Sequence, residues 1–391
     1  MEDYLKMKKK NLNVLFIAVV AASYFTGCAA GNAGSTAVTE TTSANAENTT
    51  STENTTSADA TSTDASNEVT TENTSEAAPG ALDSEKIKVV TTIFPEYDWV
   101  KEVLGDNVGN AEITMLLDNG ADLHSYQPTA EDVIKIASSD LFIYVGGESD
   151  GWVEDALSNS TNPDMQVINL LDVLGDSVKE EEIVEGMEHD HDHEHEEGEE
   201  HDHEEGEEHD HEHESDEHVW LSLKNTQVLV SAIADSLGVV DSANADTYQT
   251  NAAAYNEKLS ALDAEYAAAV DAASVKTVLF GDRFPFRYMV DDYGLSYYAA
   301  FAGCSAETEA SFETILFLAE KVNELDLSSV LTIESSDGKI ADTIIQSTND
   351  KDQQVLVLDS MQSTTSEDVA AGAAYLSIMK NNLEVLKEAL K

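Results

Sequence analysis

Histidine and carboxylate side chains, the residue types that bind divalent metals, are concentrated in one stretch of this 391-residue chain. Residues 188–218 read EHDHDHEHEEGEEHDHEEGEEHDHEHESDEH and hold ten of the 11 histidines. Alternating imidazoles and carboxylates without fixed geometry are typical of metal binding, and imidazole favours zinc, copper or nickel over manganese. The alternative is a solvated acidic loop with no ligand. We predict an auxiliary metal-binding loop over 188–217, whose ligands are His189, His191, His193, His195, His201, His203, His209, His211 and His213.

Two further histidines stand next to sequence that is predicted to be ordered. His124 lies in the polar loop GADLHSYQPT, directly after the apolar segment AEITMLL. His218 ends the histidine-rich stretch and directly precedes the apolar residues VWL. From residue type alone, a single histidine in a polar loop is more often exposed to solvent than bound to a metal, so both interpretations stay open at this point.

The elements that must position these histidines follow an alternating pattern. Short β-branched apolar segments begin at residues 87, 111, 141 and 165, and again at 276, 296, 329 and 354, with helical spacing between them. Strands that alternate with helices predict parallel α/β sheets. Residues 242–273 contain no Pro or Gly and predict one long helix. The expected fold class is α/β, with an N-terminal lobe over 86–241, a linking helix over 242–273 and a C-terminal lobe over 274–391.

The N-terminal segment has the pattern of an export signal. Lys8, Lys9 and Lys10 precede the short apolar run VLFIAVVAA, and Met7 is a more natural first residue than Met1. The following FTGC resembles a bacterial lipobox, which makes Cys28 the expected lipidated residue after a signal peptide over 1–27. A plain signal peptide or a membrane helix is the alternative. Residues 28–85 are rich in Ser, Thr, Asn and Ala, so we predict a disordered tether.

Net charge and cysteine content restrict the partners. A formal charge of −57 repels nucleic acid and anionic lipid and attracts cations. There are only 2 cysteines, and if Cys28 carries lipid then Cys304 has no disulfide partner. We therefore interpret Cys304 as a packed small residue rather than a reactive one.

Several motifs, taken in order, resemble the metal-binding solute-binding proteins of ABC transporters, in particular the zinc-uptake lipoproteins and their manganese-binding cousins. These motifs are GADLHSYQPTAEDVIKIASSDLFIYVGG, DEHVWLSL, ADTYQTNAAAYNEKLSALDAEY and VLVLDSM. The resemblance covers about residues 86–391, apart from the histidine-rich insert. It implies two α/β lobes joined by one long rigid helix, with a metal site in the cleft between the lobes.

The resemblance also implies the metal ligands. It gives His124 and His218 as imidazole ligands, Asp359 as a carboxylate ligand, and Glu334 as a carboxylate near the site. The family's third ligand, His or Glu, corresponds to Arg283, which has no lone pair to give a metal. Asp282 is the possible substitute, and Arg283 is instead expected to neutralise carboxylate charge near the cleft. Two imidazoles with carboxylates suit Zn²⁺, and suit Mn²⁺ more weakly.

The function that the resemblance implies is binding rather than catalysis. A monomer outside a bacterial cell, anchored to the membrane by lipid, captures zinc and delivers it to a permease with a cytoplasmic ATPase. A manganese-binding member of the same family and a surface lipoprotein for metal buffering or cell adhesion are the alternatives. A zinc metallohydrolase is disfavoured, because the sequence has no HExxH helix and no nucleophile elbow.

Overall fold

The N-terminal lobe is built on a four-stranded parallel sheet. The computed structural model describes residues 86–187, 214–305 and 309–391. The strands β1 (Ile87–Thr91), β2 (Ala111–Met115), β3 (Leu141–Tyr144) and β4 (Gln166–Asn169) pair in the order β2-β1-β3-β4. The helices are α1 (Phe94–Leu104), α2 (Ala130–Ala137), α3 (Val153–Leu157) and α4 (Leu170–Leu174).

One long helix connects the lobes. Helix α5 (Leu223–Val240) leads into α6 (Ala245–Ala272), which at 28 residues is about 42 Å long. The absence of Pro and Gly lets α6 continue without a break. It buries one stripe of side chains at steps of three, four and seven residues, namely Tyr248, Ala252, Tyr255, Leu259, Leu262, Tyr266 and Val270. This stripe packs mainly against α5 and α1, so α6 is fixed along its length.

The C-terminal lobe repeats the topology of the first. The strands β5 (Thr277–Phe284), β6 (Ser296–Ala302), β7 (Ser329–Ile333) and β8 (Gln354–Leu358) are parallel and pair in the order β6-β5-β7-β8. The helices are α7 (Arg287–Tyr293), α8 (Phe312–Leu325), α9 (Lys339–Ser347), α10 (Ser366–Ala371) and α11 (Tyr375–Ala389). In both sheets the strand order reverses beside the first strand. Such a point leaves a crevice at the carboxyl ends of the strands where ligands bind.

Buried side chains join the two lobes. The larger hydrophobic core contains residues of both sheets and of α6. Across it, Trp99 of α1 packs edge-on against Tyr375 of α11, with ring centroids 5.3 Å apart. The backbone N–H of Tyr375 donates to Asp98 Oδ2 at 2.9 Å. A shared core gives the crevice rigid walls.

The predicted fold class is confirmed: two parallel α/β lobes are joined by one long helix. All eight predicted strands form. The C-terminal helix α11 begins at Tyr375, three residues after Gly372, whose φ of 106° ends the short helix α10. The limits of the lobes stay predictions. The signal peptide, the tether, Cys28 and the nine loop histidines lie outside the described residues. Within the described ranges, no helix combines the length and apolar character needed to cross a membrane.

Candidate metal centre

His124 is held by a single turn of 3₁₀ helix, Leu123–Ser125, after strand β2. The side chain of Asp122 caps this turn by accepting the backbone N–H of His124 at 3.0 Å. Leu123 is buried and anchors the turn in the core. The backbone around His124 is therefore fixed from two sides, while its imidazole faces the cleft between the lobes.

His218 is held by a second turn, Val219–Leu221, directly before α5. All three residues of that turn are buried, and the His218 ring itself is 0% exposed. Trp220 fixes the turn by donating its indole N–H to the carbonyl of Ser360 at 2.8 Å. A fully buried imidazole needs polar partners, because an unpaired polar group in the core is costly.

The two histidines face one another. Their Nε2 atoms lie 3.1 Å apart, and the ring planes are inclined by 58°. Zinc binds imidazole nitrogens at about 2.0–2.1 Å in tetrahedral geometry, so two nitrogens on one ion stand about 3.3 Å apart. The observed separation is close to that distance. The histidine pair thus has the spacing of two ligands of one metal ion.

A carboxylate lies beside the outer nitrogen of each ring. His218 Nδ1 is 3.0 Å from Asp216 Oδ1, which also accepts the backbone N–H of His218 at 2.9 Å. His124 Nδ1 is 2.8 Å from Ser149 Oγ and 3.3 Å from Glu217 Oε2. A carboxylate at Nδ1 favours the proton there, which leaves the lone pair on Nε2. The two Nε2 atoms face the same point, and a proton at each Nδ1 would leave both lone pairs for a metal ion.

Glu217 is suited to stay ionised although it is buried. Burial acts to raise the pKa of Glu217, but hydrogen bonds from His124 and Ser149 outweigh it and hold the pKa below its ordinary value. The backbone N–H of Ser149 donates to Glu217 Oε1 at 2.9 Å. The site therefore carries a fixed negative charge that attracts a cation.

Cys304 is the third residue at this point. It lies two residues after the end of strand β6, and one ligand atom from each of His124, His218 and Cys304 lies within 4.8 Å of the other two. Burial and the nearby carboxylates of Glu181 and other acids raise the pKa of the Cys304 thiol well above its ordinary value. Among the His, Cys, Asp and Glu residues in the described part of the chain, these three have the spacing of a metal site.

Arg283 forms the ion pair that was expected near the cleft. Its Nη2 lies 2.6 Å from Asp122 Oδ2, and its Nη1 donates to the carbonyl of Ser305 at 3.4 Å. Burial acts to raise the pKa of Asp122, but the Arg283 guanidinium outweighs it and keeps the pKa below its ordinary value. Asp122 caps the turn that carries His124. Arg283 thus fixes the position of His124 from the opposite lobe.

The three predicted carboxylates do not join the histidine pair. Asp282 lines a cleft cavity of about 480 Å³ together with His124, but its oxygens accept the backbone N–H groups of Arg283 and Ile333. Asp359 Oδ1 accepts the N–H of Met361 at 2.8 Å, and burial with the nearby charge of Glu334 raises its pKa to about 6. None of the three is within ligand spacing of both histidines.

Glu334 holds a loop of the C-terminal lobe. Its two oxygens accept hydrogen bonds from the backbone N–H groups of Ser360, Gln362 and Ser363, and from the hydroxyls of both serines. These bonds use the lone pairs that a metal would need. Glu334, at the end of a strand, therefore stabilises the loop over 360–363.

The ends of the histidine-rich insert meet beside the site. The backbone N–H of Glu181 donates to the carbonyl of Glu214 at 2.8 Å, and that of Asp216 donates to the carbonyl of Lys179 at 2.8 Å. These bonds flank an antiparallel bridge between residues 180 and 215. A cavity of about 240 Å³ opens there, lined by His124, Glu148, Ser149, Glu214, Ser215, Glu217 and Cys304.

Sequence reasoning missed four of the residues that shape this site: Ser149, Asp216, Glu217 and Cys304. Asp216 and Glu217 precede His218 directly, so the tripeptide DEH carried a signal that the surrounding acidic run concealed. Cys304 had been interpreted as a packed small residue. Its position beside two histidines depends on the fold, which brings the chain after β6 close to the His218 ring.

Comparison with known proteins gives a consistent result. The family model described as ZnuA, zinc-uptake complex component A, periplasmic, matches residues 89–389. The chain is 34% identical over 303 residues to the zinc-binding lipoprotein AdcA of Streptococcus pneumoniae, which covers 78% of this chain and 56% of that protein. It is 30% identical over 313 residues to the high-affinity zinc uptake system protein ZnuA of Bacillus subtilis. That match covers 80% of this chain and 90% of the Bacillus subtilis protein.

Solved structures have the same fold. The Zn(II)-bound ZnuA-like domain of Streptococcus pneumoniae AdcA has a TM-score of 0.58 at 29% identity, covering 78% of this chain and 99% of that one. The metal-dependent lipoprotein YcdH of Bacillus subtilis has a TM-score of 0.61 at 25% identity, with the same coverage. The chain spans only about 57% of the length of the streptococcal relatives that it matches. From Val89 to Ala389 the sequence matches the family model, and the chain belongs to the ZnuA family.

Proposed function

We propose that this protein captures zinc outside the cell and delivers it to an ABC-type importer made of a permease and a cytoplasmic ATPase. The observation that carries the proposal is the pair of imidazoles whose Nε2 atoms lie 3.1 Å apart, each with a carboxylate beside its outer nitrogen. Relatives at 30–34% identity are named for zinc binding or zinc uptake, which supports zinc as the cargo. The proposed role is binding and delivery, with no reaction catalysed.

The lipobox-like sequence supports a location on the outer face of the cell membrane. Lipid on Cys28, followed by the tether over 28–85, would hold the binding domain within reach of a membrane permease. The relative from Streptococcus pneumoniae is itself named a lipoprotein.

Uptake measured in cells tests this function. Removal of the protein from its bacterium is expected to reduce the uptake of radioactive zinc from zinc-limited medium. The wild-type chain should restore uptake, and so should Val239→Ala, which alters an exposed side chain at the end of α5. The double variant His124→Ala/His218→Ala should not. Normal zinc uptake without the protein, or restoration by the double variant, would contradict the proposal, and loss of manganese uptake alone would identify a manganese carrier.

The nine histidines of the insert are proposed to bind further zinc weakly. Deletion of residues 189–213 keeps the bridge at residue 215 and the Asp216 carboxylate. We expect the deletion to leave one tight zinc site and to remove several weaker equivalents. Those weak equivalents should also disappear from the full chain below about pH 6, because protons compete for free imidazoles with a pKa of about 6.5.

Calorimetric titration with zinc measures both classes of site in this comparison. A variant with the nine histidines replaced by glutamine keeps the length of the insert and separates the effect of ligands from that of the loop itself. It should behave like the deletion. If either variant lost the tight site, the insert would contain that site and the two-class interpretation would be wrong.

A further inference from the structure

We propose that the Cys304 thiolate is the third protein ligand of the bound zinc, and that it makes the site selective for zinc over manganese. The inference rests on the proposed zinc-binding function and assigns a ligand at the same site. Arg283 stands where the family has its third metal ligand, so that position supplies no metal ligand in this chain. A guanidinium has no lone pair to give, and Arg283 is already paired with Asp122.

The geometry places the thiol beside the histidine pair. One ligand atom from each of the three residues lies within 4.8 Å of the others. In a tetrahedral zinc site with a Zn–S bond of about 2.3 Å, sulfur and nitrogen stand about 3.6 Å apart. The thiol therefore moves inward by no more than about 1.2 Å to bind the same ion. That movement is within reach of a small side chain at the end of a strand.

The backbone on both sides of Cys304 is shaped for this approach. A Cβ added at Gly303 would lie 3.0 Å from His218 Cε1 and 2.9 Å from the carbonyl of Phe284, so only glycine lets β6 pass so close to the His218 ring. On the other side, the backbone N–H of Cys304 donates to Glu181 Oε1 at 3.0 Å. The thiol is thus held beside the imidazoles by the fold.

The charges around the thiol favour a cation between the three ligands. Glu217 lies behind His124, and Asp216 lies behind His218. When zinc binds, the metal's own charge displaces the thiol proton to solvent and the thiolate takes its place as a ligand. Two neutral imidazoles and one thiolate would then hold Zn²⁺, next to a cavity lined by His124, Ser149 and Cys304.

A thiolate changes which metal is preferred. Soft sulfur ligands favour zinc, whereas manganese prefers carboxylate and water oxygens. With the predicted carboxylates Asp359, Glu334 and Asp282 outside ligand spacing, Cys304 supplies the anionic ligand of the described cluster. A thiolate ligand at this position therefore makes the site selective for zinc, although the chain lacks the family's third histidine or glutamate.

X-ray absorption at the zinc edge tests the ligand directly, with substoichiometric zinc so that the tightest site fills first. We expect one sulfur at about 2.3 Å in the wild-type chain, and no sulfur in Cys304→Ser. Cys28→Ser is the matched control, because it removes the chain's other cysteine and should keep the sulfur signal. With cobalt in place of zinc, the thiolate-to-cobalt absorption in the near ultraviolet should be lost in Cys304→Ser and kept in Cys28→Ser.

Affinity measurements complete the test. Cys304→Ala is expected to weaken zinc binding about 100-fold, and Cys304→Asp to lower the ratio of zinc affinity to manganese affinity. Tight zinc binding by the wild-type chain with only nitrogen and oxygen neighbours would overturn the Cys304 ligand and leave the zinc-binding function standing. If the wild-type chain bound no zinc tightly, both proposals would fall.

Discussion

The variant His218→Ala is expected to bind zinc about 100- to 1000-fold more weakly than the wild-type chain. Structural zinc sites contribute about 10–16 kcal/mol in total, so the loss of one ligand among three or four removes about 3–4 kcal/mol. The effect should be large because the fold fixes His218 Nε2 in a position 3.1 Å from His124 Nε2. Zinc titration in the presence of a competing chelator measures the change.

His218 is fully buried, so its replacement by alanine also leaves a cavity. The variant His218→Asn separates the two effects, because its amide can still donate to Asp216 while the Nε2 ligand is lost. We expect His218→Asn to keep the unfolding temperature of the metal-free protein closer to wild type than His218→Ala does. Zinc affinity should fall in both.

His124→Ala provides the matched comparison from the other lobe. The imidazole is 11% exposed and sits on a surface turn, so its removal should disturb folding less than that of His218 while reducing zinc affinity by a similar factor. Unchanged zinc affinity in His124→Ala and His218→Asn, with both proteins folded, would contradict the assignment of this pair as metal ligands.

The fold was predictable from the sequence because local pattern determines it. Each strand is a short β-branched segment between helical segments, and the long helix contains no residue that would interrupt it. His124 and His218 were predicted because each belongs to a motif in sequence order. The apolar side chains of α6 recur at steps of three and four residues, and they form the face of the helix that is buried.

The rest of the site depends on contacts between distant parts of the chain. Arg283 was expected to meet a carboxylate, but its partner Asp122 is 161 residues away, and no local pattern identifies it. Glu334 has the strand-end position typical of a ligand, yet the loop over 360–363 takes its lone pairs. Cys304 lacks a motif altogether. Its importance depends on how closely Gly303 lets β6 approach His218.

Replacement of Asp216, the carboxylate beside His218 Nδ1, is expected to give the second large decrease in zinc affinity. Asp216 is 1% exposed, and its Oδ1 accepts the backbone N–H of His218 and lies 3.0 Å from His218 Nδ1. Loss of such a partner typically lowers metal affinity 10- to 100-fold, because it fixes the ring and raises the basicity of the ligand nitrogen. We expect Asp216→Ala to reach about 100-fold, since it loses both the orientation and the charge.

Asp216→Asn distinguishes those two contributions. The amide oxygen still accepts a hydrogen bond from Nδ1–H, so the ring keeps its orientation while the negative charge is lost, and zinc affinity should fall only about 10-fold. Asp292→Asn is the control, since Asp292 is a partly buried carboxylate that accepts a hydrogen bond from Ser222 and forms an ion pair with Lys224. That variant should bind zinc like the wild-type chain. If both Asp216 variants fold and bind zinc as tightly as the control, the carboxylate has no part in tuning His218, and the imidazole alone determines the affinity at that position.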